Sequence, residues 1–386
     1  VEQPLPSHIL ADMSKKGMDR NSPIMIRIFK EEGVMEILKA NQSNRFEVIA
    51  DYKICAWSGR LGPKVKEGDR QAPEGFYMLT PANLNPNSKY YLAINTGFPN
   101  RYDAANGRTG ADLMIHGACS SSGCYSMTDQ QVLEIYAFAR DAFKGGQKAV
   151  QLEAFPFRMT AENMWKHRLS PNIEFWKMLK VGYDNFEVTK RPPDVEVCEK
   201  KYVFNQQASG PFNASGKCPV MTTPPALQMA LATYDKQYQA DYATATKKFD
   251  GMAWYDPTEA AYAPTGTALA AGKMMKVADL ESMMSNQSAQ QVARGGTAIS
   301  PTANPTTASI RVATASPATA GPVATAQQPA AGPVIAANVP ANVPIPTANP
   351  MNPGLSALAY APAPTVETAQ TEAKKPPFWK FWAKSE

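Results

Sequence analysis

The composition of the chain breaks near residue 290, and no single packed fold can absorb that break. Thirteen prolines fall between Pro301 and Pro364, and Arg311 is the only charged residue between Gly295 and Val366. Almost every aromatic residue precedes position 263; Tyr360 and a cluster at the very end are the exceptions. A stretch with so few large side chains cannot bury enough apolar surface to offset the entropy of ordering it. Its repeated pieces, AGPV (320–323, 331–334) and ANVP (337–340, 341–344), are too short to form packed units. The sequence therefore divides into a lead-in (1–21), a folded domain (22–222), a partly helical extension (223–290), a disordered Ala/Pro-rich spacer (291–376) and a basic aromatic tail (377–386).

Within the folded part the apolar period is mostly two. SPIMIRIF (22–29), VMEILKA (34–40) and FEVIADYKICAW (46–57) read as three strands, the first two joined at KEEG (30–33). YYLAIN (90–95), 111–115 and AVQLEAF (149–155) read as further strands. Thr128-Asp129 predicts an N-cap, followed by a helix over 130–143 that stops at Gly145-Gly146. Two more helical segments, 160–169 and 172–181, are separated at Pro171. The fold class is mainly β with peripheral helices (α+β), a curled or sandwiched sheet rather than alternating βαβ units.

Bulk charge narrows the partners. Residues 1–222 carry 28 basic and 24 acidic side chains, too even a balance to build a field for nucleic acid. No apolar run approaches the length that spans a bilayer. The sequence has neither an initiator Met nor a charged-then-apolar leader, as expected of an exported, periplasmic chain whose signal peptide is absent.

Residues 114–129, MIHGACSSSGCYSMTD, hold one of three histidines and two of five cysteines. Three chemistries fit. His116, Cys119 and Cys124 are soft ligands, but a structural zinc site needs four, usually in tight pairs, and no second pair is in sight. A disulfide between Cys119 and Cys124 would close a short loop. Alternatively, Cys124 is a nucleophilic thiol with His116 as its base and the amides of Gly123 and Cys124 facing a developing oxyanion. A buried cysteine beside a satisfied core histidine is the fourth, purely structural, possibility. Cys198 and Cys218 form a separate candidate disulfide, closing a loop in an oxidising compartment.

HGACSSSGCYSM (116–127) resembles the active-site segment of L,D-transpeptidases of the YkuD type, in which His-Gly on one strand is followed by a short return ending in Ser-His-Gly-Cys. GDRQAPEGFY (68–77) resembles the turn and strand that precede it in that family. Together with CAWSGRLGPKVK (55–66) and INTGFPNRYDAANGRTGADLMIHG (94–117), these segments are most similar to the YafK-like branch, and the likeness runs over residues 22–188. It implies a YkuD-like catalytic domain acting on peptidoglycan stem peptides without a cofactor, with Cys124 as nucleophile, His116 as base and an oxyanion hole around Gly123. Ser122 stands where the family usually has His, and Ser126 where it has Arg or Asn, so substrate anchoring is expected to differ. Some YafK-like proteins are associated with hydrolysis that frees a wall-linked outer-membrane protein, which makes an amidase the alternative outcome. A non-catalytic wall-binding module is the second alternative. Ser120, Arg70, Tyr102 and Arg108 flank the motifs as candidate substrate-binding residues, whereas Trp57 and Trp165 read as core. The tail, KKPPFWKFWAKSE (374–386), interleaves lysines with aromatics, a pattern suited to a membrane interface.

Overall fold

The computed structural model describes residues 2–255, 273–279 and 282. Its helices are α1 (Ser7–Lys15), α2 (Arg101–Ala105), α3 (Asp129–Lys144), α4 (Ala161–Lys166), α5 (Ile173–Thr189) and α6 (Pro225–Lys248). Its strands begin with β1 (Ile24–Phe29), β2 (Val34–Ala40), β3 (Phe46–Lys53), β4 (Ala56–Trp57) and β5 (Gly75–Leu79). They continue with β6 (Leu84–Asn85), β7 (Ala93–Asn95), β8 (Met114–His116), β9 (Tyr125–Ser126) and β10 (Val150–Phe155). Three two-stranded pieces follow: β11 (Val195–Cys198) with β12 (Lys201–Phe204), β13 (Gln207–Ala208) with β14 (Met221–Thr222), and β15 (Met252–Tyr255) with β16 (Lys273–Lys276).

Two five-stranded sheets make the domain, in the orders β3-β2-β1-β10-β5 and β4-β9-β8-β7-β6. The main core lies where one face of the first sheet (Ile24, Ile26, Ile28), the second sheet (Ile94, Ile115, Tyr125) and α3 (Val132, Ile135, Phe138) meet. Alternation along β1 sends Met25, Arg27 and Phe29 to the opposite face. There Phe29, Phe76 and Phe155 pack with Trp176, Leu179 and Tyr183 of α5 and with Tyr202 and Phe204 of β12. Both faces of β1 are therefore covered, and all six of its residues are buried. Arg27 is buried with them: rings of Phe29, Phe155, Tyr183 and Phe186 surround its guanidinium, and Glu187 meets its charge at 2.9 Å.

Several elements differ from the sequence reading, for identifiable reasons. The run 46–57 is not one strand. At Ile54 the N–H bonds to Gly33 O, at Cys55 it bonds to Ser126 O, and the chain passes from the first sheet to the second. Only Ala93–Asn95 of the 90–95 run is strand; Tyr90 and Tyr91 lie outside it, with Tyr91 at a positive φ of 71°. The lead-in contains α1, which buries Ile9 and Met13 in the main core. The helix at 172–181 runs on to Thr189, and α6 extends through residues 225–248 with no described helix long and apolar enough to cross a membrane. The spacer and the aromatic tail lie outside the described residues.

Helix α3 begins as expected. Gln131 N–H bonds to the Thr128 hydroxyl at 3.2 Å while the Gln131 side chain accepts from Thr128 N–H at 2.9 Å, a reciprocal cap.

Candidate active site

Strands β8 and β9 run parallel, with Ile115 opposite Tyr125 and His116 opposite Ser126. One step back in the same register, Cys124 lies beside Met114. Side chains alternate along a strand, so Ile115 and Tyr125 enter the core while His116, Cys124 and Ser126 share the other face. This places a thiol and an imidazole as diagonal neighbours on two adjacent strands.

Cys124 is partly buried, and it is the free cysteine of the chain. Its Sγ accepts from Met114 N–H at 3.4 Å and donates to Asp112 O at 3.6 Å. Burial pushes the thiol above its ordinary pKa; the Asp112 charge adds to this, and Met114 N–H and Lys64 oppose it. His116 is buried at the end of β8, and its Nδ1 lies 2.6 Å from Gly117 O. Only an N–H can face a carbonyl at that distance, so the neutral ring carries its proton on Nδ1 and leaves the Nε2 lone pair open. Burial lowers the pKa of His116, with the Gly117 bond opposing. Both shifts favour a neutral thiol beside a neutral imidazole over a preformed ion pair.

The return between them is tightly built. Gly117 tolerates no side chain: a Cβ there would lie 2.5 Å from Asp129 Oδ1 and 2.9 Å from Tyr90 O. Ala118 and Cys119 both take positive φ, 64° and 47°. The Asp129 carboxylate accepts Ala118 N–H at 2.9 Å, and Met127 O accepts Cys119 N–H at 3.2 Å. Gly123 has φ 118° and is buried against Leu113 and the backbone of Arg70 and Gln71. Its N–H meets the Ser121 hydroxyl at 3.3 Å, which in turn donates to Cys124 O at 2.7 Å and approaches Ser58 Oγ at 3.4 Å.

Residues 58–74 press on this return and are themselves held from the core. Ser58 donates to Arg70 O at 2.7 Å. The fully buried Lys30 ammonium donates to the carbonyls of Arg60, Gly62 and Ala72 and to Glu74 Oε1, all within 3.2 Å. An ammonium with that many fixed acceptors cross-links the segment it touches.

The cysteines settle two of the sequence alternatives. Cys119 is bonded to Cys55, with Cα atoms 5.3 Å apart, so it neither pairs with Cys124 nor offers a thiolate to a metal. Among the described residues no group of three or more His, Cys, Asp or Glu side chains is arranged to hold a metal ion. Cys198 is bonded to Cys218.

The other candidates divide. Ser120 and Ser122 are exposed on the return, and Arg70, also exposed, reaches it through its backbone. Ser126 is fully buried and donates to Ala56 O at 2.8 Å, which removes it as a substrate ligand. Tyr102 and Arg108 are corrected likewise. Tyr102 is stacked between Phe175 and Tyr202, and Arg108 lies over its ring and is paired with the buried Asp103 at 2.8 Å. Trp165 is core, whereas Trp57 is partly buried with Lys30 Nζ 4.8 Å from its ring. Sequence reasoning missed Ser121, Ser58 and Tyr90. Tyr90 packs its ring 4.7 Å from that of His116, and nothing in its spacing announces that contact.

A cysteine and a histidine held on parallel strands, with the imidazole tautomer fixed by a backbone carbonyl, are the pair of side chains that a thiol nucleophile and its base require. The family model for the YkuD L,D-transpeptidase catalytic domain matches residues 25–150. Two Escherichia coli proteins, from strain K12 and from O157:H7, both named "Putative L,D-transpeptidase YafK", are 48% identical over 188 residues, which is 49% of this chain and 76% of theirs. The chain belongs to the YkuD-type L,D-transpeptidase family. Among solved structures, the helical cell shape determining protein Pgp2 of Campylobacter jejuni is 19% identical with a TM-score of 0.28, covering 49% of this chain and 81% of that one. Bdellovibrio bacteriovorus Bd1075 is 15% identical with a TM-score of 0.26, covering 45% and 76%.

Proposed function

We propose that this protein is a peptidoglycan-modifying cysteine acyltransferase, an L,D-transpeptidase acting on diaminopimelate-containing stem peptides outside the cytoplasm. The observation that carries this reading is the free Cys124 on the same sheet face as His116, whose Nδ1 is fixed by Gly117 O. As the Cys124 sulfur attacks the carbonyl that follows the L-centre, its proton passes to His116 Nε2. The oxyanion forms against the amide of Cys124 and against that of Gly123, which must give up its 3.3 Å bond to the Ser121 hydroxyl. His116 then returns the proton to the departing amine of the terminal D-residue, leaving a thioester. An acceptor amine attacks the thioester, gives its proton to His116 and releases the thiolate, which is reprotonated. No cofactor enters these steps. The two disulfides fit an oxidising compartment such as the periplasm.

One observation favours a second reading, with water as acceptor. Ser126 occupies a position expected to help hold an acceptor, yet its hydroxyl is spent on Ala56 O. Fewer anchoring groups weaken the advantage of an amine over water. The product would then be a hydrolysed stem, or a released wall-linked outer-membrane protein. The test of the shared step is intact mass after incubation with a tetrapeptide muropeptide. An acyl adduct that maps to Cys124 and vanishes in Cys124→Ser supports the reading; no adduct and no turnover on any wall fragment would overturn it.

A further inference from the structure

The imidazole of His116 is covered on one side by a residue to which no role has been given. The Tyr90 ring lies 4.7 Å from it at an interplanar angle of 31°, and Tyr90 is 38% exposed, so it stands between the imidazole and solvent. The same residue anchors Gly117, whose carbonyl faces the base. Tyr90 O accepts Gly117 N–H at 3.1 Å, and Gly117 O is the acceptor of His116 Nδ1. The backbone here is constrained: Leu92 N–H also bonds to Tyr90 O at 3.0 Å, Tyr90 N–H bonds to Ser88 Oγ at 3.1 Å, and Tyr91 is held at φ 71°. A non-glycine residue in that region is strained and persists only where its surroundings impose it.

We propose that Tyr90 is a positioning residue for His116: its ring fixes the plane of the imidazole and keeps water off it, while its carbonyl anchors the N–H of Gly117, the residue whose own carbonyl selects the tautomer. The inference rests on the reading of His116 as the base. A loose ring would sample orientations in which Nε2 misses the thiol, and small misplacements of a catalytic group are costly. The ionisable groups around His116 are Lys89, Tyr90 and Tyr91 on this segment, Cys124 through β9, and Asp129 at the start of α3, which touches Gly117. Lys89 Nζ lies 5.1 Å from the Tyr90 ring and so stands on the solvent side of it.

The probe is iodoacetamide, whose reaction with Cys124 is independent of which wall fragment is the substrate. Its rate against pH is measured for the wild type, Tyr90→Ala, Tyr90→Phe and His116→Ala, each checked for folding by circular dichroism. Burial lowers the pKa of His116, so uncovering the ring moves it back up. The acid limb of Tyr90→Ala is therefore expected to shift upward by about 0.5 pH unit or more, with a several-fold slower rate at neutral pH, while Tyr90→Phe keeps the wild-type profile. A folded Tyr90→Ala with an unchanged limb, or a Tyr90→Phe as impaired as Tyr90→Ala, overturns the positioning role. A His116→Ala profile identical to wild type removes the base assignment itself, and the positioning role with it.

Discussion

Cys119 stands three residues beyond His116 and is bonded to Cys55, the residue that leads into β4. The bond spans 64 residues of sequence and ties the crossover between the two sheets to the return that carries Cys124. Ala118 and Cys119 are consecutive left-handed residues, each a conformation that costs free energy outside glycine. The disulfide and the Asp129 carboxylate hold them there.

Removing the bond should therefore hurt twice. Cys55→Ala with Cys119→Ala is expected to lose about 2–4 kcal/mol of stability on the loop-closure scale. It should also lower turnover more than the stability change alone explains, because the return would relax. In the untreated protein, iodoacetamide should label Cys124 alone; after reduction, Cys55 and Cys119 should label as well. Peptide mapping decides this, and labelling of Cys119 without reductant would show that the bond is not formed in solution.

The pH dependence of the reaction follows from two opposed shifts. Cys124 is raised and His116 lowered, both chiefly by burial, so the resting pair is uncharged. The rate should climb as His116 loses its proton at a pH below the ordinary histidine value. Because the thiol does not ionise unaided at neutral pH, His116→Ala should cost about 10²–10⁴ in turnover. Titrating Cys124 by its thiolate absorbance in the wild type and in His116→Ala checks the premise. A thiolate already formed at pH 6 would contradict it.

The strands of the first sheet, α3 with its N-cap, and the nearness of Cys124 to His116 were legible because each is local. Period-two apolar runs, Thr128-Asp129 at the head of a helical run, and a His-Gly–Gly-Cys return are all written within a few residues. What the sequence hid was long-range. The handover at Ile54 and Cys55 depends on Gly33 and Ser126, which are distant in the chain. Cys55 shows no spacing that marks it as the partner of Cys119. Ser126 was a candidate because it stands where the resembled family has Arg or Asn; only the pairing of β4 with β9 places Ala56 O against it. Tyr102 and Arg108 flank a motif in sequence but fold into the second core.

Glu153 offers a test of the buried interior. Neither of its carboxylate oxygens has a hydrogen-bond partner among the described residues, and burial raises its pKa to about 8 even though Arg27 opposes the rise. The folded protein thus holds this proton to about pH 8, whereas the unfolded chain releases it near the ordinary 4.5. A raised folded value means that the group's stabilising contribution is full below 4.5 and is lost as pH climbs to about 8. Glu153→Gln mimics the protonated form. Its melting temperature relative to wild type should rise across that window and then level off, a gain on the order of 2–4 kcal/mol. A constant difference from pH 4 to 9 would mean that Glu153 is ionised in the fold and paired with Arg27 throughout.

The acceptor separates the two functional readings. In the transferase, an amine must be held near the thioester better than water is, and positioning of that kind is where large rate factors arise. Around Cys124 the fixed polar groups are mostly committed: Ser121 to Cys124 O, Ser126 to Ala56 O, Asp129 to Ala118 N–H. Ser122 is exposed on the return, and Arg70 is an exposed cation whose backbone packs against it. Transfer is kept as the first reading because the family is named for it, and hydrolysis is expected to compete. If Arg70 anchors the acceptor, Arg70→Ala should shift products from dimers and exchanged D-amino acids toward hydrolysed stems, with total Cys124 acylation changed by less than about threefold. The measurement is mass analysis of products from a tetrapeptide muropeptide with and without an added amine, alongside a wall-linked lipoprotein peptide. Dimers from the wild type that decline in Arg70→Ala would support transfer with that anchor. Release of the lipoprotein peptide with no dimer in the wild type would make the protein an amidase of the same fold.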